Sequence, residues 1–85
     1  MPQIEAAGHH QPANASHGWC VEIVGKSGGD VCSSEALQLA ASSAHDNGWK
    51  HDGRGSTGWA PTQEGPLCYK MYYWFYEKLE PEGVT

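Results

Sequence analysis

An 85-residue chain has room for one small domain, and a net charge of −5 with 39% hydrophobic residues limits what that domain can do. Because an acidic surface is repelled by phosphates, the charge argues against direct binding to nucleic acid or to an anionic membrane. No apolar run approaches the ~20 residues of a membrane span, and the N-terminal residues lack the basic and apolar regions of a signal peptide. The composition therefore predicts a cytoplasmic protein whose partner is another protein, of basic character.

The first seventeen residues are predicted to be disordered. They contain two prolines, a glycine and two adjacent histidines, and they show neither helical nor strand periodicity. Residues 18–80 are predicted to form a single domain, and residues 81–85 a frayed acidic tail.

The segment GWCVEIVG, residues 18–25, is the first predicted strand. Every second residue from Trp19 to Ile23 is apolar, which is typical of a strand with one apolar face. The KSGGD segment that follows predicts a tight turn because its glycines can adopt positive φ. A short return strand is expected around Val31 and Cys32.

The segment SSEALQLAASSAHDNG, residues 33–48, predicts the one helix of the chain. Either Ser33 or Ser34 can cap its N-terminus, and Gly48 can provide the left-handed residue at its C-terminus. Leu39 is expected to point away from the apolar face. The spacing of three and four residues places four side chains on that face: Leu37, Ala40, Ala41 and Ala44.

A glycine-rich loop is predicted over residues 49–66, with one short strand around Trp59. The next segment, LCYKMYYWFYEKL, covers residues 67–79 and has apolar residues at nearly every position. Its aromatic content favours a central strand covered on both sides. A helix is the competing interpretation because Leu67, Met71 and Trp74 also fit a period of 3.6 residues.

Two glycine motifs suggest nucleotide binding, and their context argues against it. GRGSTG, residues 53–58, has the spacing of a dinucleotide fingerprint, but it follows a predicted helix instead of a strand and has prolines close behind it. VGKSGG, residues 24–29, contains the end of a phosphate-binding loop, yet Cys20 occupies the position of the first glycine that such a loop requires. We therefore interpret Gly25 to Ser27 as a hairpin turn.

Three cysteines and five histidines raise the question of a metal site, a disulfide or catalysis. Reduced, buried thiols are the favoured interpretation of the cysteines, with one disulfide or a zinc site as alternatives. No nucleophile lies in a distinctive setting, so we expect neither an enzyme nor a cofactor or metal. The zinc ligands would come from His17, Cys20, Cys32, His45, His51 and Cys68.

The aromatic residues are the strongest indication of function. Four Trp, four Tyr and one Phe exceed what one alanine-faced helix can cover, so some rings should be exposed. Exposed Tyr and Trp side chains dominate the binding energy of protein interfaces. We expect a partner to contact Trp49, Trp59, Tyr72, Tyr76, Glu77 and Glu80.

These features predict an α+β fold, a small antiparallel sheet with one packed helix in the order β-(β)-α-loop-β. The predicted function is that of a small acidic, non-enzymatic binding protein. In size, acidity and lack of a catalytic motif it resembles the phage and mobile-element proteins that inhibit nucleic-acid-binding complexes, anti-CRISPR proteins among them. This is a likeness of class that rests on no motif. The alternatives are a secreted carbohydrate-binding module with one disulfide, which stacks sugars on Trp49 and Trp59, and a small zinc-stabilised domain.

Overall fold

The structure is a computed structural model that describes residues 4–10, 18–51, 54–55 and 62–80. The predicted strand around Trp59 and the predicted tail at residues 81–85 lie outside these residues. No helix in the described ranges is long and apolar enough to cross a bilayer. The elements in chain order are β1 (Ile4–His10), β2 (Trp19–Gly25), α1 (Gly28–Val31), α2 (Ser34–Asp46), β3 (Arg54–Gly55), β4 (Thr62–Gln63) and β5 (Tyr69–Phe75).

The strands form one antiparallel sheet in the order β1-β2-β5-β3, with β4 also paired to β5. The α+β class and the antiparallel sheet are therefore confirmed. The central pairing runs from Trp19 opposite Phe75 to Gly25 opposite Tyr69, so each residue of β2 has a partner in β5. This register determines which side chains share a face of the sheet.

The predicted disorder at the N-terminus is wrong for β1. Residues Ile4–His10 pair with β2, with an irregularity in the register between Ala6 and Gly8. Ile4 and Ala6 also pack against the core. The backbone hydrogen bonds to β2 stabilise a segment whose own sequence has no alternating pattern.

The predicted return strand around Val31 and Cys32 is also wrong, because the chain forms the short helix α1 there. The side chain of Ser27 accepts a hydrogen bond from the Asp30 backbone N–H at 3.0 Å and caps this helix. The predicted hairpin turn is thus the start of a helix, and Cys32 is exposed just beyond its end.

Helix α2 begins and ends as the sequence predicts. Ser33, not Ser34, is the N-cap, and its Oγ accepts a hydrogen bond from the Ala36 N–H at 3.1 Å. Gly48 follows the helix with φ of +90°, a conformation that disfavours other residues. The buried residues of α2 are Ala36, Ala40 and Ala44. Leu39 is half-buried against the core, so the expectation that it points away is wrong.

Strand β5 confirms the strand interpretation of the aromatic segment and rules out the helix. Met71, Tyr73 and Phe75 are buried, whereas the alternating Lys70, Tyr72 and Trp74 are only half-buried. Met71, Tyr73 and Phe75 share the hydrophobic core with residues of the two helices. Its buried members are Val21, Ile23, Val31, Ala36, Ala40, Ala44, Trp49, Met71, Tyr73 and Phe75. Both helices thus cover one face of β5, and neither covers the other face.

Candidate functional site

The face of β2 and β5 that points away from the helices is the candidate site, and we call it the open face. Successive residues of a strand point to opposite sides of the sheet, so the residues that alternate with the core residues share this face. Tyr76 joins them just beyond the end of β5, where its ring meets that of Trp74. The open face comprises Cys20, Glu22, Val24, Lys70, Tyr72, Trp74 and Tyr76.

Trp74 and Tyr76 form a pair of nearly parallel rings on the open face. Their ring centroids are 6.4 Å apart, and the ring planes differ by 11°. The residues opposite Trp74 are both small, Cys20 in β2 and Gly55 in β3. Tyr76 is 50% exposed. The pair therefore offers aromatic surface to solvent.

Gly18 leaves space for the ring of Tyr76. A Cβ atom at Gly18 would lie 3.1 Å from Tyr76 Cδ1 and 3.2 Å from the carbonyl oxygen of Phe75. The second contact is with backbone, which cannot move as a side chain can. The absence of a side chain at residue 18 therefore positions Tyr76 beside Trp74.

Two positions along the open face from Trp74, beyond Tyr72, a lysine bridges two carboxylates. Lys70 Nζ lies 2.9 Å from Glu64 Oε2 and 3.2 Å from Glu22 Oε1. These contacts raise the pKa of Lys70, with the Glu64 hydrogen bond as the larger cause and the Glu22 hydrogen bond as the second. Two carboxylates thus flank one ammonium group.

Glu22 places negative charge in a largely desolvated position. It is only 9% exposed, although it lies on the open face. Burial raises the pKa of Cys20 to about 11, and the charge of Glu22 adds to the effect. Burial, followed by the charge of Glu22, also raises the pKa of Tyr72. Glu22 is thus a common source of negative potential for its neighbours on this face.

Two of the predicted binding residues, Tyr72 and Tyr76, lie on the open face. Glu77 and Glu80 are exposed, but Glu77 Oε2 lies 3.5 Å from Lys50 Nζ, in the segment after α2. Trp59 lies outside the described residues.

The prediction that Trp49 contacts a partner is wrong, because this side chain is 2% exposed. Its ring stacks on Trp19 with centroids 6.3 Å apart, and Lys78 Nζ lies 5.4 Å from its centroid on another side. The Leu79 N–H donates to the Gly48 carbonyl at 2.8 Å and brings the chain after β5 against Trp49. Burial of such a large apolar ring stabilises the fold and removes it from the surface.

Sequence reasoning did not assign Trp74, Glu22 or Lys70 to a binding site. Trp74 could have been found, because it alternates with Tyr72 and Tyr76 in a predicted strand. The contact of Glu22 with Lys70 required the register of β2 against β5, which the separate segments do not contain.

The cysteine and histidine side chains bear on the disulfide and zinc alternatives. All three cysteines are free thiols, so the disulfide of the carbohydrate-binding alternative is not formed. Within the described ranges, no three His, Cys, Asp or Glu side chains are grouped so that they could hold a metal ion. His45 and His51 approach edge to face, with centroids 5.8 Å apart, beside an open groove of about 460 Å³ at the end of α2.

The glycine motifs have other roles where the structure describes them. Ser27 of VGKSGG caps α1, which has four residues. Arg54 and Gly55 of GRGSTG form β3. Comparisons with protein-family models, curated proteins and solved structures give no significant match.

Proposed function

We propose that this protein is a non-enzymatic binding protein that docks on a basic protein partner through the open face. The observation that carries the proposal is the Trp74–Tyr76 pair, because these rings lie on the side of the sheet that neither helix covers. Trp and Tyr are the residue types most enriched among those that dominate interface energies.

The charge of the site favours a basic partner. Glu22 and Glu64 both contact Lys70, and the chain as a whole carries a net charge of −5. Complementary charge accelerates association and selects among partners. Nucleic-acid-binding proteins have basic surfaces because they neutralise phosphates. An inhibitor of such a complex, as in phage or mobile-element proteins of the anti-CRISPR kind, is the form of this function that the acidity favours.

The test is capture of a partner from a lysate of the source organism by immobilised protein. We expect the wild-type protein to retain a basic protein that the Tyr76→Ala and Trp74→Ala variants lose. Leu67→Ala is the matched control, because Leu67 is a large apolar residue, 71% exposed, that does not belong to the open face.

Circular dichroism of each variant shows whether it is folded. A basic protein retained by wild type and Leu67→Ala, and lost by the two folded open-face variants, supports the proposal. Equal retention by all four proteins contradicts it, because the open face would then contribute nothing to binding.

A further inference from the structure

A groove of about 320 Å³ opens where β1 begins and β2 ends, at the other end of the β2–β5 pairing from Trp74 and Tyr76. We propose that two copies of this chain associate through this groove, each placing Leu67 in the groove of the other. The contact is separate from the one that the proposed function uses. The lining of the groove includes Ile4, Glu5, Val24, Lys26, Leu67 and Cys68.

The apolar part of this surface combines a projecting side chain with a recess. Leu67 is 71% exposed. A single exposed leucine is ordinary on a protein surface, but this one borders a groove whose half-buried Ile4 and Val24 are also apolar. Two copies related by two-fold symmetry bring the same patch of each together, so the leucine of each copy can enter the groove of the other. Both leucines then leave water in one association step, which favours the dimer.

Two opposite charges border the same groove. Glu5 and Lys26 are both exposed, and neither forms an ion pair within the part of the chain that the structure describes. In a two-fold dimer, if residue i contacts residue j of the other copy, then j also contacts i. Glu5 of each copy can therefore pair with Lys26 of the other, which gives two ion pairs at one contact. A second copy always supplies both complementary charges, and such pairs select the partner and its orientation.

The net charge of −5 opposes self-association, and salt limits this effect. At about 0.15 M ionic strength the Debye length is about 8 Å, so repulsion between distant charges is largely screened, while adjacent charges are screened less. The contact is also small, and interfaces that bury less than about 1,200 Å² in total are typical of transient complexes. We therefore expect a reversible dimer with a dissociation constant in the micromolar to millimolar range.

The edge of β1 is the competing place for a second copy. β1 is at the end of the strand order, so a strand of another chain could pair with it. The register of β1 against β2 is irregular between Ala6 and Gly8, however. Irregularities of this kind bend a strand, and on edge strands they oppose pairing with other chains. The groove at Leu67 is therefore the favoured contact.

Sedimentation equilibrium of the full chain, from about 10 μM to about 1 mM protein at about 0.15 M salt, measures the dissociation constant. Leu67→Ala should weaken the dimer at least about tenfold, because each dimer loses two buried leucine side chains. Gln38→Ala shortens an exposed side chain on α2 and is the matched control, with an expected change of less than about twofold. Circular dichroism shows whether each variant is folded.

An exchange of charges tests the orientation of the two copies. In Glu5→Lys alone or Lys26→Glu alone, like charges would face each other, so each variant should dimerise at least about threefold more weakly than wild type. An equimolar mixture of the two variants restores an acid opposite a base at both places, so the mixed dimer should approach the wild-type constant. Glu35→Lys makes the same change of charge on α2 and controls for the net charge.

A dimer that Leu67→Ala weakens and that the mixture of charge variants restores supports the inference. A wild-type protein that stays monomeric up to about 1 mM overturns it. A dimer that Leu67→Ala leaves unchanged also overturns it, because that result is expected for pairing at the β1 edge. A mixture that associates no better than its separate components overturns the pairing of Glu5 with Lys26. The capture experiment tests a different surface, so its result is independent of these.

Discussion

At the scale of single residues, tryptophan has two different roles in this molecule. Trp49 is enclosed by Trp19 and Lys78 and is buried, whereas Trp74 is half-buried on the open face next to Tyr76. Because both residues are tryptophan, the difference in their exposure comes from the residues around them. Loss of the first ring should therefore affect folding, and loss of the second should affect binding.

We predict that Trp49→Ala unfolds the protein and that Trp74→Ala leaves it folded. Truncation of a fully buried Trp costs about 3–5 kcal/mol of unfolding free energy, which is comparable to the whole stability of a small domain. Urea titration followed by circular dichroism measures both variants. A Trp49→Ala protein with an unfolding midpoint close to that of wild type would show that this ring is not essential to the core.

At the scale of elements, the two helices are held by short polar contacts at their ends. Ser33 contacts both helices. Its Oγ accepts a hydrogen bond from the Ala36 N–H at 3.1 Å and donates one to the Asp30 carbonyl at 2.6 Å. It therefore joins the end of α1 to the start of α2. Between the layers, the Tyr73 hydroxyl donates to the buried Val31 carbonyl at 2.5 Å. One strand residue thus fixes the position of α1 on the sheet.

We predict that Ser33→Ala lowers the unfolding free energy by ~1 kcal/mol, the usual cost of losing an N-cap. Ser34→Ala is the matched control, because Ser34 is exposed and its hydroxyl donates to the adjacent Glu35 Oε2 at 3.3 Å instead of capping the helix. Thermal or urea unfolding measures both. Equal effects of the two substitutions would mean that the cap contributes nothing.

We further predict that Tyr73→Phe costs about 1–3 kcal/mol, because it leaves the buried Val31 carbonyl without this donor. Tyr76→Phe removes the same hydroxyl from an exposed ring and should change the stability by less than about 0.5 kcal/mol. The comparison uses urea midpoints measured under one buffer condition. A Tyr73→Phe substitution that leaves the urea midpoint unchanged would contradict the role assigned to this hydrogen bond.

At the scale of the whole molecule, three titrating groups on the open face have a raised pKa, which makes alkaline pH unfavourable for the folded state. The pKa is raised for Cys20, to about 11 from an ordinary value of 9.0, and it is also raised for Tyr72 and Lys70. In each case the folded protein keeps its proton to a higher pH than the unfolded chain. By linkage, the stabilisation is complete below the unfolded pKa and is lost as the pH rises through the folded pKa.

We therefore predict that the unfolding free energy falls between about pH 9 and pH 11, and that Cys20→Ala makes this fall shallower. Cys32→Ala is the control, because it removes the same thiol from an exposed position outside the open face. Urea titrations at several pH values give the slopes. A wild-type stability that is constant or rising over this range would contradict the assignment.

The elements that could be predicted from the sequence are those whose pattern is local. Ser33 with Gly48 marks the ends of α2, and the alternation in β2 and the aromatic content of β5 indicate strands. β1 was missed because its stability depends on pairing with β2. In the site, Tyr72 and Tyr76 were predicted from residue type, whereas the pairing of Glu22 with Lys70 depends on register and could not be.

The position of β5 has a consequence for how the chain folds. β5 is the last described strand in sequence, yet in space it lies between β2 and β3. The sheet can therefore form only after contacts are made between segments far apart in the chain. Such contacts give a high contact order, which favours slow folding. During synthesis, the backbone edge of β2 that pairs with β5 stays unpaired until the aromatic segment has been made. That unpaired strand edge is then the part of the nascent chain that can pair with a wrong strand.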